Sequence, residues 1–444
     1  MQARRWLLCA LLFTVSCSVQ PVPPERAATD QLKMVVILSR HGVRSPLNVP
    51  VAENAWPQNQ RDWSVDYNGD LTPSGEQLVR EMGAYYHLYY ASPEKKLLPE
   101  GCPDKEVFIW ADNEERTIQT GRELAQGLAG HTPGCSLTVN SQPYVPSVCS
   151  SSPTDKSCQR TSSTDPLFHP RTALDKSQLQ AIADHINGRY KDLVEQYRQP
   201  LDAMQNTLCP TKNCFLKVDE PAALVLENEK WKLKWNGRFS IGSTAAEIFL
   251  LEYAHGMPCA TVGWGKVAFN QPDCGQGQSF RAMQELHTAY FQETQRAPYI
   301  AKVQGTPLLN EIAGRLSQGM QPNPAAQKLV IFAGHDTNIA NVAAMLGVCW
   351  KLPDLPENDT PPAGALVFEL HRSTQTSKYS LQIRYVYQMV EQLRTKSGLT
   401  LERPPKWIDV AVPRCQGVCD LETFKQLVAN PESKPQACTA HAPK

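Results

Sequence analysis

Short runs of apolar residues, each followed by a cluster of charged residues, occur near both ends of this chain. Three of these runs have no polar interruption: Met34–Leu38, Val107–Trp110 and Leu329–Ala333. An uninterrupted apolar run of this length is typical of a strand that is buried on both faces of a parallel sheet. Two later segments, Leu366–Phe368 and Tyr379–Tyr387, predict further strands, which we place at an edge of the sheet.

Helical patterns alternate with these strands. Thr72 and Pro73 provide an N-cap and a first-turn proline for a helix that continues toward Tyr90. Two more helices are predicted after the second and third strands, at about 114–128 and at 338–346. Between about 172 and 290 the pattern becomes mostly helical, most clearly at 178–196 and 244–255.

Alternating strands and helices at both ends, with a helical middle, predict an α/β domain that carries an insertion. The expected α/β domain has a mostly parallel sheet flanked by helices, and the inserted domain is mainly helical. The predicted division is a signal peptide at 1–19, a proline-rich tether at 20–31, the first part of the α/β domain at 32–171, the helical insertion at 172–288 and the second part of the α/β domain at 289–444.

The N-terminus has the pattern of a secretory signal. Arg4 and Arg5 precede an apolar run at 6–15, which is about half as long as a bilayer span requires. A buried N-terminal helix is the alternative. No later stretch is apolar and long enough to span a membrane, so we expect a periplasmic or secreted protein. Lipid attachment at Cys17, which would give an outer-membrane lipoprotein, remains an alternative although Thr14 stands where such signals carry Leu.

Composition restricts the class of function. The 444 residues include 44 Lys and Arg against 44 Asp and Glu, and 41% of residues are hydrophobic. These values are those of an ordinary globular protein. Because the formal net charge is zero, the chain lacks the broad positive field of a nucleic-acid binder, and any recognition of anions must be local.

The cysteines predict disulfides. Of 14 cysteines, Cys9 and Cys17 fall in the predicted signal peptide, and the even number that remains fits a disulfide framework in an oxidising compartment. Zinc is the alternative, but no pair of CxxC elements and no His-rich tract is present. The spacings suggest five local pairs, Cys102/Cys135, Cys149/Cys158, Cys209/Cys214, Cys259/Cys274 and Cys415/Cys419, which leaves Cys349 and Cys438 without a local partner.

Three predicted strands end in charged segments: 39–46, 111–117 and 334–338. In open α/β sheets the ligand crevice lies beyond the carboxyl ends of the strands, so these segments are expected to meet. Together they supply three arginines, two histidines and, at Asp336, a candidate carboxylate. Guanidinium groups and a helix N-terminus suit a tetrahedral dianion such as phosphate.

Each of these residues also has a plainer explanation. Arg40 and Arg44 fit a charged surface loop, and Arg116 fits the solvated face of a helix. Asp336 precedes a predicted helix and fits an N-cap, and His335 alone fits a structural role. Their joint occurrence after strands favours an anion site in an enzyme.

The same segments resemble a known family. Arg40–Pro46 is similar to the RHGxRxP signature of the histidine acid phosphatases, and Gly334–Asp336 is similar to their downstream HD element. Relatives of phosphoglycerate mutase share RHG, but the second arginine and the proline favour the acid phosphatases. Five further segments resemble the periplasmic phytases and glucose-1-phosphatases of enteric bacteria: Glu115–Thr117, Asp165–Phe168, Glu247–Leu251, Gly263–Gly265 and His335–Asn338.

The resemblance implies a histidine-phosphatase-like fold and a set of roles. His41 would be the nucleophile that forms a phosphohistidine, and Asp336 would protonate the leaving oxygen. Arginines lower the pKa of a neighbouring imidazole, which keeps it a neutral nucleophile in acid. The remaining residues would contact substrate, with Arg40, Arg44, Arg116 and His335 holding the phosphoryl oxygens, and Glu247 and Thr337 lining the substrate pocket. No metal and no cofactor is expected, because arginines provide the charge stabilisation.

The implied function is that of an acid phosphatase acting on small phosphomonoesters, with phytase-like preference for myo-inositol hexakisphosphate. A glucose-1-phosphatase is the nearest alternative, and a phosphate-binding protein without turnover is the alternative from another class. One position departs from the phytases, which carry a lysine where this chain has Asn48. We expect a monomer with no nucleic-acid partner. From the ordinary range of carboxyl pKa values, we expect a pH optimum of roughly 3–5.5.

Overall fold

The structure is a computed structural model that describes residues 30–47, 62–130, 132–142, 165–170, 172–209, 221–227, 229–269, 273–321, 327–415 and 419–430. The strands are β1 (Asp30–Arg40), β2 (Val107–Ala111), β3 (Val139–Ser141), β4 (Ala223–Glu227), β5 (Lys230–Lys234), β6 (Val267–Ala268), β7 (Gln278–Ser279), β8 (Leu329–Gly334), β9 (Ala365–Ser373), β10 (Tyr379–Tyr387), β11 (Lys406–Val410) and β12 (Cys419–Asp420). The helices are α1 (Pro73–Ala91), α2 (Glu115–Ala129), α3 (Lys176–Gln196), α4 (Arg198–Leu208), α5 (Arg238–His255), α6 (Phe280–Glu293), α7 (Pro298–Gln318), α8 (Asp336–Leu346), α9 (Val390–Thr395) and α10 (Leu421–Ala429).

One mixed sheet organises the fold. Its strand order is β11-β10-β9-β1-β8-β2-β3, and β12 pairs with β10. The pairs β1–β8, β8–β2 and β2–β3 are parallel, whereas β9 is antiparallel to β1 and β10 is antiparallel to β9 and β11. The predicted α/β class is confirmed, with the expected parallel arrangement confined to one half of the sheet. The edge position predicted for β9 and β10 is wrong, because both strands have partners on their two sides.

Strand β1 is buried on both faces, as its apolar run predicts. Met34, Val36 and Leu38 join a core that includes residues of α5, α7 and α8. Val35 and Ile37 point to the opposite face, because side chains alternate along a strand, and they join a core with α1 and α2. The two faces of the sheet are therefore both covered by helices in the region of β1.

Helices α1 and α2 pack closely because glycines lie at their contact. A Cβ on Gly83 of α1 would lie 2.4 Å from the carbonyl oxygen of Leu124 in α2. A Cβ on Gly127 of α2 would lie 2.2 Å from the carbonyl oxygen of Arg80. Real side chains do not tolerate such distances, so the two backbones can approach this closely only where both positions lack a side chain.

The middle of the chain is mainly helical but also contains strands. Alongside α3, α4 and α5 it holds the antiparallel hairpin β4–β5 and the short parallel pair β6–β7. The predicted boundary at 288 lies inside α6, and the first two residues of β1, Asp30 and Gln31, fall within the predicted tether. The division into an α/β domain and an insertion remains a prediction.

Three predicted disulfides are present: Cys102–Cys135, Cys259–Cys274 and Cys415–Cys419. Cys209 and Cys349 are also disulfide-bonded. The proposed pairs Cys149/Cys158 and Cys209/Cys214 include positions outside the described residues, as does Cys438. Across the described ranges, no helix is both long enough and apolar enough to cross a bilayer.

The glycine contact between α1 and α2 predicts opposite effects for two similar substitutions. Gly83→Ala should lower the free energy of unfolding by about 1–3 kcal/mol, because the new methyl group has to push the helices apart. Gly188→Ala, inside α3 where nothing lies within 4 Å of an added Cβ, should raise it by about 0.5–1 kcal/mol. Urea unfolding of both variants measures the difference, and equal effects would contradict the close contact.

Candidate active site

The ends of three parallel strands lie side by side and bring the charged segments together. Arg40, the last residue of β1, pairs in register with Gly334, the last residue of β8. On the other side of β8, the backbone N–H of Asp112 donates to the carbonyl oxygen of Ala333 at 3.0 Å. The residues that follow β1, β8 and β2 therefore share one edge of the sheet, as the sequence predicts.

His41 is buried beside this edge with its ring held in one orientation. Its Nδ1 lies 2.9 Å from the carbonyl oxygen of Gly42. A carbonyl only accepts, so Nδ1 carries the proton and Nε2 carries the lone pair. The ring meets that of His335 edge-on, with centroids 5.6 Å apart.

The surroundings of His41 oppose protonation. Burial lowers the pKa of the imidazole well below its usual value, and nearby guanidinium groups lower it further. The imidazole therefore remains neutral in moderately acidic solution, which leaves its lone pair available. In decreasing order of effect, the guanidinium groups are those of Arg116, Arg40 and Arg44.

Arg40 is fully buried and links two carboxylates. One terminal nitrogen forms ion pairs with Glu247 and with Asp336, the latter at 3.1 Å, and the other donates to the carbonyl oxygen of Thr360. Burial alone would lower the pKa of Arg40, but the two carboxylates outweigh it and raise the pKa above its usual value. Arg40 thus sets the position of both carboxylates.

Asp336 is the first residue of α8, and His335 is the N-cap. Oδ1 of Asp336 accepts a hydrogen bond from the backbone N–H of Thr337 at 2.7 Å, and Oδ2 of Asp336 faces Arg40. Burial by itself would raise the pKa of Asp336, but Arg40 and nearby histidines lower it to about 2. The carboxyl is not the N-cap that a plainer explanation of the sequence suggested.

Arg44 and Arg116 also lie near His41, since both lower its pKa. Arg44 donates to the carbonyl oxygen of Ser45 at 2.9 Å, and Arg116 forms an ion pair with Glu114. Burial lowers the pKa of Arg44 to about 10, and repulsion from Arg116 contributes. Two cations that repel each other in this way favour a bound anion.

Three guanidinium groups keep donors available beside His41. The Nε atoms of Arg40, Arg44 and Arg116 are buried and have no hydrogen-bond partner among the described residues. A buried cationic donor without an acceptor is costly. A phosphate, with its tetrahedral set of oxygens, provides acceptors for several such donors at once.

A carboxylate that was not among the predicted site residues connects two histidines. Asp112 is fully buried, and its Oδ2 lies 2.7 Å from Nε2 of His335 and 2.9 Å from Nε2 of His169. Burial alone would raise the pKa of Asp112, but the hydrogen bonds from the two imidazoles lower it. The pKa of His169 is raised, because Asp112 outweighs the effect of burial.

Comparison with known proteins agrees with this arrangement. A sequence model of the histidine phosphatase superfamily (branch 2) matches residues 31–388. The chain belongs to this family. The resemblance found in the Arg40–Pro46 and Gly334–Asp336 segments is confirmed.

Curated relatives of this histidine phosphatase include bacterial enzymes of two kinds. The phytase AppA of Escherichia coli (strain K12) is 32% identical, over 97% of this chain and 99% of that protein. The glucose-1-phosphatase of Providencia rettgeri is 29% identical, over 92% of this chain and 95% of that one.

Solved structures similar to this histidine phosphatase are also phytases. The Hafnia alvei phytase in complex with tartrate is 35% identical with a TM-score of 0.75, over 91% of this chain and 98% of that one. The Citrobacter braakii phytase is 31% identical with a TM-score of 0.74, over the same shares of the two chains. The fold and the family are thus the same as in these enzymes.

The two residues predicted to line the substrate pocket both adjoin this cluster. Glu247, on α5, is buried, with Oε1 on Arg40 and with Oε2 lacking a partner among the described residues. Thr337 is half-buried in the first turn of α8 and donates its N–H to Asp336. Their roles toward a substrate remain predictions, as do those of the other site residues.

A second polar group that sequence reasoning missed lies near Arg40. Asp359 accepts hydrogen bonds from the N–H of Thr360 at 2.7 Å and from Gln284 at 3.3 Å. Burial raises the pKa of Asp359 to about 6. His287 lies nearby and bonds Ser243 at 3.0 Å. No motif includes these positions, which lie on helices α5 and α6 and in the loop before β9.

The depressed pKa of Asp336 predicts a pH-dependent contribution to stability. An unfolded aspartate titrates near ~3.9, so the ionised form stabilises the fold above that value, and the effect is lost as the pH falls toward 2. Asp336→Asn removes this contribution. The unfolding free energy of the enzyme, relative to that of the variant, should therefore be higher at pH 6 than at pH 2 by about 2 kcal/mol.

Urea unfolding of both proteins across that pH range measures the change. A parallel pH dependence for the enzyme and the Asp336→Asn variant would contradict the close pairing of Asp336 with Arg40.

Proposed function

We propose that this chain is an acid phosphatase that hydrolyses phosphomonoesters through a phosphohistidine intermediate. The observation that carries the proposal is a buried imidazole, His41, kept neutral by burial and by three nearby guanidinium groups, whose buried Nε atoms have no hydrogen-bond partner among the described residues. A neutral imidazole is a competent nucleophile, and fixed cations stabilise the charge on a transferring phosphoryl group.

The reaction would proceed in two steps. First, Nε2 of His41 attacks phosphorus, the bond to the ester oxygen breaks, and Asp336 gives its proton to the departing alcohol. Second, water attacks the phosphohistidine, Asp336 accepts a proton from that water, and phosphate leaves as His41 is released. Arg40, Arg44, Arg116 and His335 would hold the phosphoryl oxygens throughout.

Substrate binding would prepare Asp336 for its role as an acid. In the free enzyme the pKa of Asp336 is about 2, because cations outweigh burial. A bound phosphate adds negative charge beside the carboxyl and competes with it for Arg40, and both effects raise a carboxyl pKa. The proton is then available in the predicted range of optimum, which is roughly pH 3–5.5.

For the substrate we propose phytate-like specificity, with myo-inositol hexakisphosphate as the main candidate. Support comes from the phytases among the relatives, including a Hafnia alvei enzyme solved with myo-inositol hexakis sulphate. Glucose-1-phosphate is the alternative, favoured by the glucose-1-phosphatase relatives and by Asn48, which replaces a lysine of the phytases. Asn48 lies outside the described residues.

We further propose that the enzyme works in the periplasm or outside the cell. The disulfides support this location, because such bonds persist in oxidising compartments. Residues 1–19 lie outside the described part of the chain. The signal peptide, lipid attachment at Cys17 and the monomeric state remain predictions.

A panel of phosphate esters tests the function. Phosphate release should be measured from phytate, glucose-1-phosphate and p-nitrophenyl phosphate between pH 3 and 7, with and without EDTA. We expect turnover of all three, the highest kcat/KM with phytate, and no loss of activity in EDTA. His41→Ala should lower the rate by about 10⁴-fold or more, since loss of a nucleophile is rarely compensated.

Each alternative has its own outcome in this panel. Preference for glucose-1-phosphate would identify the sugar phosphatase. Tight binding of phosphate without turnover, and without labelled phosphate trapped on the protein at acid pH, would identify a binding protein.

The proposed acid role of Asp336 predicts a dependence on the leaving group. Asp336→Asn should slow hydrolysis of alkyl phosphates by about 10²–10⁴-fold, because an alkoxide leaves only with a proton. p-Nitrophenolate leaves without one, so p-nitrophenyl phosphate should lose much less. Asn keeps the shape of Asp and can still accept the hydrogen bond from the N–H of Thr337. The two substrates serve as controls for each other. Equal losses on both substrates would show that Asp336 is not the acid.

A further inference from the structure

Four potential metal ligands meet at one side of the site. A single nitrogen or oxygen of each lies within 4.8 Å of the others, and the four belong to three separate parts of the chain. Two carboxylates and two imidazoles form the group: Asp112, Glu114, His169 and His335.

The framework around these ligands holds them in place. Asp112 directly follows β2, and its Oδ1 accepts from the N–H of Asn113 at 2.8 Å. The N–H of His335 donates to Oδ1 of Asn338 at 2.9 Å, and Nδ2 of the same side chain donates to the carbonyl oxygen of Phe168, the neighbour of His169. Asn338 thus ties the two histidine-bearing segments to each other.

Three of the four ligand atoms already meet. Nε2 of His335 and Nε2 of His169 both face Oδ2 of Asp112, at 2.7 and 2.9 Å. Zinc binds imidazole nitrogen and carboxylate oxygen at roughly 2.0–2.2 Å in a tetrahedral arrangement. A metal ion in place of the shared protons would therefore require only small outward movements of these side chains.

We propose that Asp112, Glu114, His169 and His335 form a binding site for a divalent transition metal such as Zn²⁺, and that its occupation inhibits hydrolysis. Mixed imidazole and carboxylate ligands suit Zn²⁺ better than Mg²⁺ or Ca²⁺, which prefer oxygen alone. A metal bound to His335 would prevent that residue from holding the phosphoryl group. A metal bound to Glu114 would compete with the ion pair between Glu114 and Arg116. The inhibition rests on the proposed function, whereas metal binding does not.

Metal binding is tested by calorimetric titration of the intact enzyme with Zn²⁺ at pH 7.5, because deprotonated imidazole is the form that binds metal. We expect one site per chain. His169→Gln keeps an amide that donates to Asp112 but removes a ligand, so it should weaken binding by at least about 10-fold, the loss typical even of supporting residues. His185→Gln is the matched control, since that histidine is 61% exposed and lies 3.9 Å from Glu293.

Absence of binding in the enzyme would overturn the site, and so would equal binding in both variants. Titration of the unaltered enzyme with Co²⁺ is a second measurement, and its result does not depend on whether a variant folds. Four-coordinate Co²⁺ absorbs visible light strongly, whereas Co²⁺ bound loosely in octahedral form absorbs weakly. A weak spectrum would therefore contradict a four-ligand site.

Inhibition is measured with p-nitrophenyl phosphate, as the ratio of rates with and without Zn²⁺ for each protein. The enzyme and the His185→Gln variant should be inhibited at Zn²⁺ concentrations that leave the His169→Gln variant active. Binding without inhibition would overturn the inhibitory role and count against His335 as a phosphoryl ligand. Inhibition unchanged by His169→Gln would overturn the site as its cause.

Discussion

A guanidinium group without any solvent exposure has to find its counter-charges inside the protein, because an unpaired buried charge is prohibitively costly. Arg40 meets this constraint through Glu247 of α5 and Asp336 of α8. It lies at the end of the central strand and directly precedes His41. The ion pairs therefore join the middle of the chain, the start of α8 and the end of β1 at one point. The positions of Glu247 and Asp336 in the site depend on this junction.

Much of the fold and part of the site could be predicted from sequence, because the signals are local. Uninterrupted apolar runs mark β1, β2 and β8, since both faces of these strands are buried. Thr72 and Pro73 mark the start of α1, where the threonine side chain accepts from Gly75. The convergence of charged segments follows from parallel strands ending at the same edge. Family resemblance then supplied the proposed roles, which local patterns alone could not.

The remainder depends on contacts between distant segments. Asp112 directly follows strand β2, but nothing local shows that its carboxylate contacts two histidines. His169 follows a motif segment, and a hydrogen bond from Asn338 of α8 to the carbonyl oxygen of Phe168 holds that segment near the site. The antiparallel half of the sheet was also placed wrongly at the edge, because alternation in β10 indicates one less buried face but does not reveal that β11 and β12 pair with its outer side.

Strand β1 takes its partners from the far end of the chain. It pairs with β8 and β9 on its two sides, and the carbonyl that holds Arg40 belongs to Thr360, 320 positions later. As the polypeptide is synthesised, His41 emerges long before the residues that bury it. A growing chain thus displays an ordinary histidine with ordinary reactivity. The buried, neutral state of His41 therefore arises only once the later segments have folded against β1.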